Sequence, residues 1–321
     1  MKNFFVSTGT LILLFLFSSC QKDPGGELIL MQARPDAGFN YPYYLFIPDE
    51  VIKNRSIHMV IEPNNSGFVD DDLQKHIDKA SRTASLDFYV GNFLARARRC
   101  PQLVPAFPRS KTNWVVYTHA LDRDAILETD TMLQRIDLQL IAMFEDAKSK
   151  LKERNIIIHD QFLMTGFSAS GSFANRFAVL HPDKVAAVAA GGVNGLLMLP
   201  VDSLEESALP FPLGTSDYEA ITGKPFDIEA FQQTPQYYFM GLLDDNDAIP
   251  YDDGYNQQER ALVYKLLGKE MMPARWHACR NIYDSMDVNA VIRTYPATGH
   301  EQSEEIKQDV VDFFNKNIPV N

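Results

Sequence analysis

Cysteine is scarce, with 3 in 321 residues, so no disulfide framework holds this chain and its stability rests on an apolar core. Basic residues are outnumbered, with 30 Lys and Arg against 42 Asp and Glu and a formal charge of −12. No basic stripe follows from that balance, which excludes nucleic acid and anionic lipid headgroups as the expected ligand and favours neutral or cationic substrates. Internal repeats, low-complexity runs and a second long hydrophobic run are all missing, which argues against solenoids, disordered linkers and multi-span membrane proteins.

The one long apolar run lies at the N-terminus. Lys2 is the only charge before it, Phe4–Phe17 is almost wholly apolar yet too short for a spanning helix, and Ser18 and Ser19 precede Cys20. This layout resembles a bacterial lipoprotein signal, with Phe17 where Leu is commoner. Residues 1–19 are then a signal peptide, Cys20 is the lipidation site, 20–26 form a tether and 27–321 a single domain. The expected location is the cell envelope, with the lipid on Cys20 as the membrane contact; an ordinary secretory signal is the alternative. With Cys20 lipidated, Cys100 and Cys279 remain as an even pair in an oxidising compartment, either bridged or packed as two separate buried thiols.

Runs rich in β-branched and aromatic residues predict strands at Glu27–Gln32, Tyr43–Ile47, Ser56–Glu62, Asn113–Thr118, Phe162–Thr165, Val185–Ala190, Gln236–Leu242 and Ala290–Tyr295. Apolar residues at three- and four-residue spacing predict helices over Asp71–Arg98, Asp130–Arg154, Ser170–Leu180, Tyr255–Leu267, Pro273–Met286 and Glu304–Asn317. Two early strands followed by alternation describe a mostly parallel eight-stranded sheet covered by helices on both faces. Asn194–Thr234, rich in proline and without long periodicity, reads as an insertion after the sixth strand, either a lid or a surface excursion.

Sites on such sheets gather where strands end. Gly166-Phe167-Ser168-Ala169-Ser170-Gly171 falls between a strand and a helix, the setting in which a sharp turn lifts a serine hydroxyl clear of the sheet. Ser168 is the candidate nucleophile, although Ser170 stands where a second glycine is usual; a plain serine helix cap is the alternative. The acid and base follow such a serine in chain order. His300 lies in a loop after the last strand and before the last helix, whereas His277 sits within a helical pattern. Asp244 leaves the penultimate strand three residues after Gly241 and is the preferred acid, with Asp247 as the rival. Ala169, together with Asn65 or Asn64 in the loop after the third strand, supplies the expected oxyanion donors. Glu304 stands where a zinc motif beginning at His300 needs its second histidine, and the acidic run at 244–247 lacks calcium-loop spacing, so no metal is expected.

The stretch from Gly166 through Ala174-Asn175-Arg176-Phe177 and His181-Pro182 to Val185–Gly192 resembles α/β-hydrolases of the feruloyl esterase and polyhydroxybutyrate depolymerase type. The likeness extends more weakly to the Gly-x-x-Asp and Gly-His stretches, and so runs from Ile57 to Phe314. It implies the α/β-hydrolase fold and a cofactor-free, esterase-like acyl transfer, with an ester substrate that is free or carried on a polysaccharide or other polymer. A peptidase using the same residues and a non-catalytic binding protein on the same fold are the competing readings. Arg109 and Arg123 are candidates for a substrate carboxylate or for surface ion pairs.

Overall fold

The computed structural model describes residues 25–64, 67–130 and 132–319. Eight strands form the central sheet: β1 (Gly26–Met31), β2 (Tyr43–Pro48), β3 (Val60–Ile61), β4 (Gln102–Pro105), β5 (Phe162–Phe167), β6 (Val185–Gly191), β7 (Gln236–Gly241) and β8 (Ala290–Tyr295). Their spatial order is β1-β2-β4-β3-β5-β6-β7-β8. β1 and β2 pair antiparallel, β2 pairs antiparallel with β4, and the rest run parallel. The chain steps from β3 outward to β4 and then back past β3 to β5, so the loops after β3 and β5 open side by side. A crevice at this kind of reversal is where open α/β sheets place their ligands.

β5 is buried at every position, which explains its continuous apolar sequence. The helix after it, Ala169–Leu180, is buried along its whole length. Gly166 and Gly171 allow this packing: a Cβ on Gly166 would lie 2.3 Å from Ser170 O, and one on Gly171 2.4 Å from Gly191 O.

Three sequence expectations are corrected. Asn113–Thr118 is not a strand: Tyr117 N bonds Asp122 Oδ1 at 3.1 Å, and the Arg109 guanidinium lies 3.5 Å from the Tyr117 ring centroid, so this aromatic run serves the crevice. The missing strand is β4, four residues long and bounded by Pro101 and Pro105, which read as loop. The long helix predicted over 71–98 is two, Leu73–Ser85 and Val90–Arg98. Asn92 Nδ2 donates to Ala84 O at 2.6 Å and Arg96 Nη2 to Ser85 O at 3.2 Å, so the second helix satisfies the exposed carbonyls that end the first.

The insertion follows the sixth strand as expected, and it is neither lid nor loose excursion. Leu197, Leu199, Leu209, Phe211 and Phe231 are all at most 2 % exposed, and Met198 is tied to Asn175 and Tyr283 through its backbone. Only Asn194 from this segment reaches the crevice.

Cys100 and Cys279 are both buried free thiols. Cys100 precedes β4, while Cys279 Sγ lies 3.8 Å from Gly195 O beyond β6. Three strand spacings separate β4 from β6 in the sheet order, roughly 14 Å, far beyond the reach of a disulfide.

Candidate active site

Ser168 connects β5 to the buried helix with φ 61° and ψ −127°, a conformation that L-residues avoid and that a tight strand-to-helix turn imposes. Ser168 N donates to Gly191 O at 2.9 Å and Ser172 N to Ser168 O at 3.0 Å, so the backbone is pinned on both sides of the side chain. Ser168 stays partly exposed. Ser170 is fully buried: its Oγ donates to Phe167 O and accepts from Phe167 N, each at 2.9 Å, closing the turn from beneath. The departure from glycine at this position is therefore a hydrogen-bonded brace.

His300 Nδ1 donates to Asp244 Oδ2 at 2.9 Å, and the Asp244 side chain is only 1 % exposed against 24 % for His300. Backbone bonds hold the two loops together, from Leu242 N to Tyr295 O at 2.9 Å and from Leu243 N to Thr298 O at 3.0 Å. A Cβ on Gly241 would come within 2.2 Å of Thr298 O, so this approach requires glycine. Phe167 and Gly192 flank the imidazole; the Phe167 ring centroid is 4.7 Å from that of His300.

Asp247, the rival acid, points elsewhere. Its Oδ1 accepts from the fully buried Arg275 at 2.6 Å and from Ile249 N at 3.0 Å. His277 is exposed on the helix Trp276–Ser285.

Ser168, Ala169, His300, Asn246, Tyr117, Arg176 and Tyr255 line one cleft of about 370 Å³. Among the described residues no hydrogen bond joins Ser168 Oγ to His300. Instead Asn246 Nδ2 lies 3.2 Å from His300 Nε2, donating to the lone pair that a serine proton would take. Asn246 N in turn donates to Asp244 Oδ1 at 2.9 Å.

Ala169 begins the helix and lines the cleft, which leaves its N–H at the helix's positive end. Asn64 does not present its amide there: it is 1 % exposed, and its Nδ2 donates to Phe107 O at 3.1 Å and sits 3.2 Å from His119 Nε2. Asn65 and Cys20 lie outside the described residues; Gly67, the next described residue after Asn64, lines the cleft. Arg109 is buried, bonded to Gly67 O at 3.0 Å and paired with Asp253 at 2.8 Å, and Arg123 pairs with Asp217 at 2.6 Å. Asn246 and Arg176 escaped the sequence reading, because nothing local marks an Asn in an acidic loop or an Arg on a helix as facing a cleft.

No family model matches the chain, and no curated protein matches it in sequence. Solved structures do match in fold. One is a poly(aspartic acid) hydrolase-1 from Sphingomonas sp. KT-1, with TM-score 0.58, 15 % identity, and coverage of 90 % of this chain and 98 % of that one. A thermostable esterase matches with TM-score 0.51 and 13 % identity, over 91 % of this chain and 63 % of that one. A mutant of the feruloyl esterase module from Clostridium thermocellum, complexed with sinapinate, matches with TM-score 0.50 and 10 % identity, over 93 % and 91 %. The chain has the α/β-hydrolase fold.

Proposed function

We propose that this chain is a serine hydrolase that cleaves carboxylic esters through an acyl-enzyme, with Ser168 as nucleophile, His300 as general base and Asp244 as the acid that orients it. The observation that carries this reading is the strained Ser168 turn opening into the same cleft as a His300 whose Nδ1 is bonded to a buried carboxylate. A neutral imidazole with its proton on Nδ1 has a free lone pair on Nε2, as a general base requires.

In the reaction Asn246 gives up Nε2 to the Ser168 hydroxyl. The serine oxygen bonds to the carbonyl carbon, its proton passes to Nε2, and the carbonyl electron pair moves onto oxygen, facing Ala169 N–H. Collapse expels the alcohol, which takes the proton from His300. Water repeats the sequence and frees the acid. No step needs a cofactor or metal.

The test is labelling with a fluorophosphonate and a panel of acyl esters and aminoacyl amides. The expected result is labelling at Ser168 with turnover of esters. Turnover confined to amides would make the chain a peptidase, a reading the likeness to a poly(aspartic acid) hydrolase keeps open. Absence of both labelling and turnover would leave a binding protein.

The address belongs to the same proposal: an envelope protein held to the membrane by lipid on Cys20. Its support is the N-terminal pattern. Metabolic labelling with a fatty acid should mark the native chain and leave Cys20→Ser unmarked and soluble.

A further inference from the structure

The helix that leaves the Ser168 turn, Ala169–Leu180, is an elbow helix that carries a second set of side chains into the cleft. Ser168, Ser172 and Arg176 are spaced at four residues, so they stack on one helical face, and all three line the cleft. Arg176 is 4 % exposed and makes only two hydrogen bonds, from Nη1 to Ala120 O at 2.9 Å and from Nη2 to Tyr255 OH at 2.7 Å. Among the described residues no carboxylate comes within ion-pair distance of it. The other charged side chains lining the cleft are already engaged: Asp253 holds Arg109, Asp247 holds Arg275, and His300 holds Asp244. At longer range the Arg176 charge favours the ionised forms of Asp122 and Glu259. Asp122 accepts backbone N–H groups from Tyr117 and Ala125, and burial pushes its carboxyl up to about 8; burial also raises Glu259, which accepts from Asn256 N. A buried cation with no carboxylate in ion-pair contact is costly to keep. Ser172 Oγ, one turn nearer Ser168, is a buried hydroxyl with no hydrogen-bond partner.

We infer that Ser172 and Arg176 form a subsite for a carboxylate carried by the substrate at the end remote from the bond being cleaved. This rests on the proposed esterase reading and names the substrate class within it: esters bearing a free carboxylate. The subsite reverses the preference for neutral or cationic substrates that the acidic composition suggests, because Arg176, the lining charge without an ion-pair partner among the described residues, outweighs the distant, screened surface charge. Eight residues of helix rise about 12 Å, and side chains lean toward the N-terminus, which shortens the span between the serine and the guanidinium. Dicarboxylic acid monoesters of four to eight carbons cover that range.

The experiment compares kcat/KM for aryl monoesters of those acids with the same esters capped as methyl esters. The native protein should favour the best anionic chain length by about tenfold or more, the order expected of a charge-assisted contact. Arg176→Met should erase that ratio, Arg176→Lys should keep an intermediate one, and Ser172→Ala should lower it about threefold. A lost structural role would depress both series alike and leave the ratio unmoved, which overturns the inference, as does a native preference for the capped esters. If Arg176→Met fails to fold, Ser172→Ala decides. Should no ester be turned over, the esterase reading fails separately, and calorimetric titration of monomethyl glutarate reads the subsite alone: binding weakened at least threefold by Ser172→Ala supports it, and no binding to the native protein at about 10 mM rejects it.

Discussion

Ser168 and Ser170 stand two residues apart with opposite surroundings, one open to a cleft and one locked to the backbone of Phe167. Ser168→Ala should therefore abolish fluorophosphonate labelling and lower kcat by several orders of magnitude, about 10⁶ for a nucleophile of this kind. Ser170→Ala should keep labelling while losing about 1 kcal/mol of stability, the cost of its paired bonds. Intact labelling in Ser168→Ala would show that the wrong serine was chosen. The two acids separate in the same way. Asp244→Asn leaves an amide facing His300 and favours the wrong tautomer, with a loss of roughly 10⁴ in kcat expected. Asp247→Asn instead removes the partner of a fully buried arginine, so its damage should appear as a lowered melting midpoint, with kcat largely kept. Equal loss of kcat in two folded variants would refute that division. The strand-end positions of Ser168, Asp244 and His300 were legible because each follows a recognisable strand, and their catalytic roles belong to the proposal. Asn64 misled because the direction of a side chain in a proline-flanked turn depends on Phe107 and His119, which lie 43 and 55 residues away.

At the scale of elements, the sheet was readable where strands are long and apolar and unreadable where packing overrides local pattern. Gln102–Pro105 is four residues, too few for periodicity, yet it is an inner strand of the sheet, whereas Val60–Ile61 falls within the run Ser56–Glu62 that reads as a strand. Asn113–Thr118 has strand composition without strand structure, because its tyrosine is taken by Arg109. The helix Ile136–Lys152 shows an effect invisible in periodicity. Asp137, buried near its start, accepts two bonds from Arg135, at 2.9 and 2.7 Å, and one from His181 at 2.8 Å, tying this helix to the end of the elbow helix. Burial raises the Asp137 carboxyl, and the bonds from Arg135 and His181 outweigh it, leaving the group at about 2. A depressed carboxyl contributes stability that is fully present above its unfolded value near 3.8 and is lost as pH falls through about 2. Asp137→Asn should cost about 3 kcal/mol at neutral pH and flatten the acid limb of the stability curve between pH 4 and 2. Denaturant midpoints measured across that range test it; parallel curves for the native protein and the variant would remove the assignment.

On the scale of the whole molecule, core packing carries the stability, since nothing covalent staples the described chain. The composition pointed this way, but an even pair of cysteines in a chain expected from its N-terminal pattern to be exported left a bridge open. The sheet closes it: Cys100 lies beneath the entry to β4, while Cys279 lies against Gly195 beyond the opposite end of β6, so neither can reach the other without dismantling the strands between. Burial pushes the Cys100 thiol up to about 12 and the Cys279 thiol up to about 11, so neither supplies a thiolate for exchange at neutral pH. Two outcomes follow for protein purified with Cys20 removed. Reductant should leave the melting midpoint unchanged, because no loop-closing bond exists to be cut. Titration with an aromatic disulfide reagent should find no reactive thiol in the native protein and both thiols after unfolding. A midpoint that falls by several degrees with reductant, together with thiols that stay silent after unfolding, would mean the two cysteines are joined and that β4 and β6 are not separated as described.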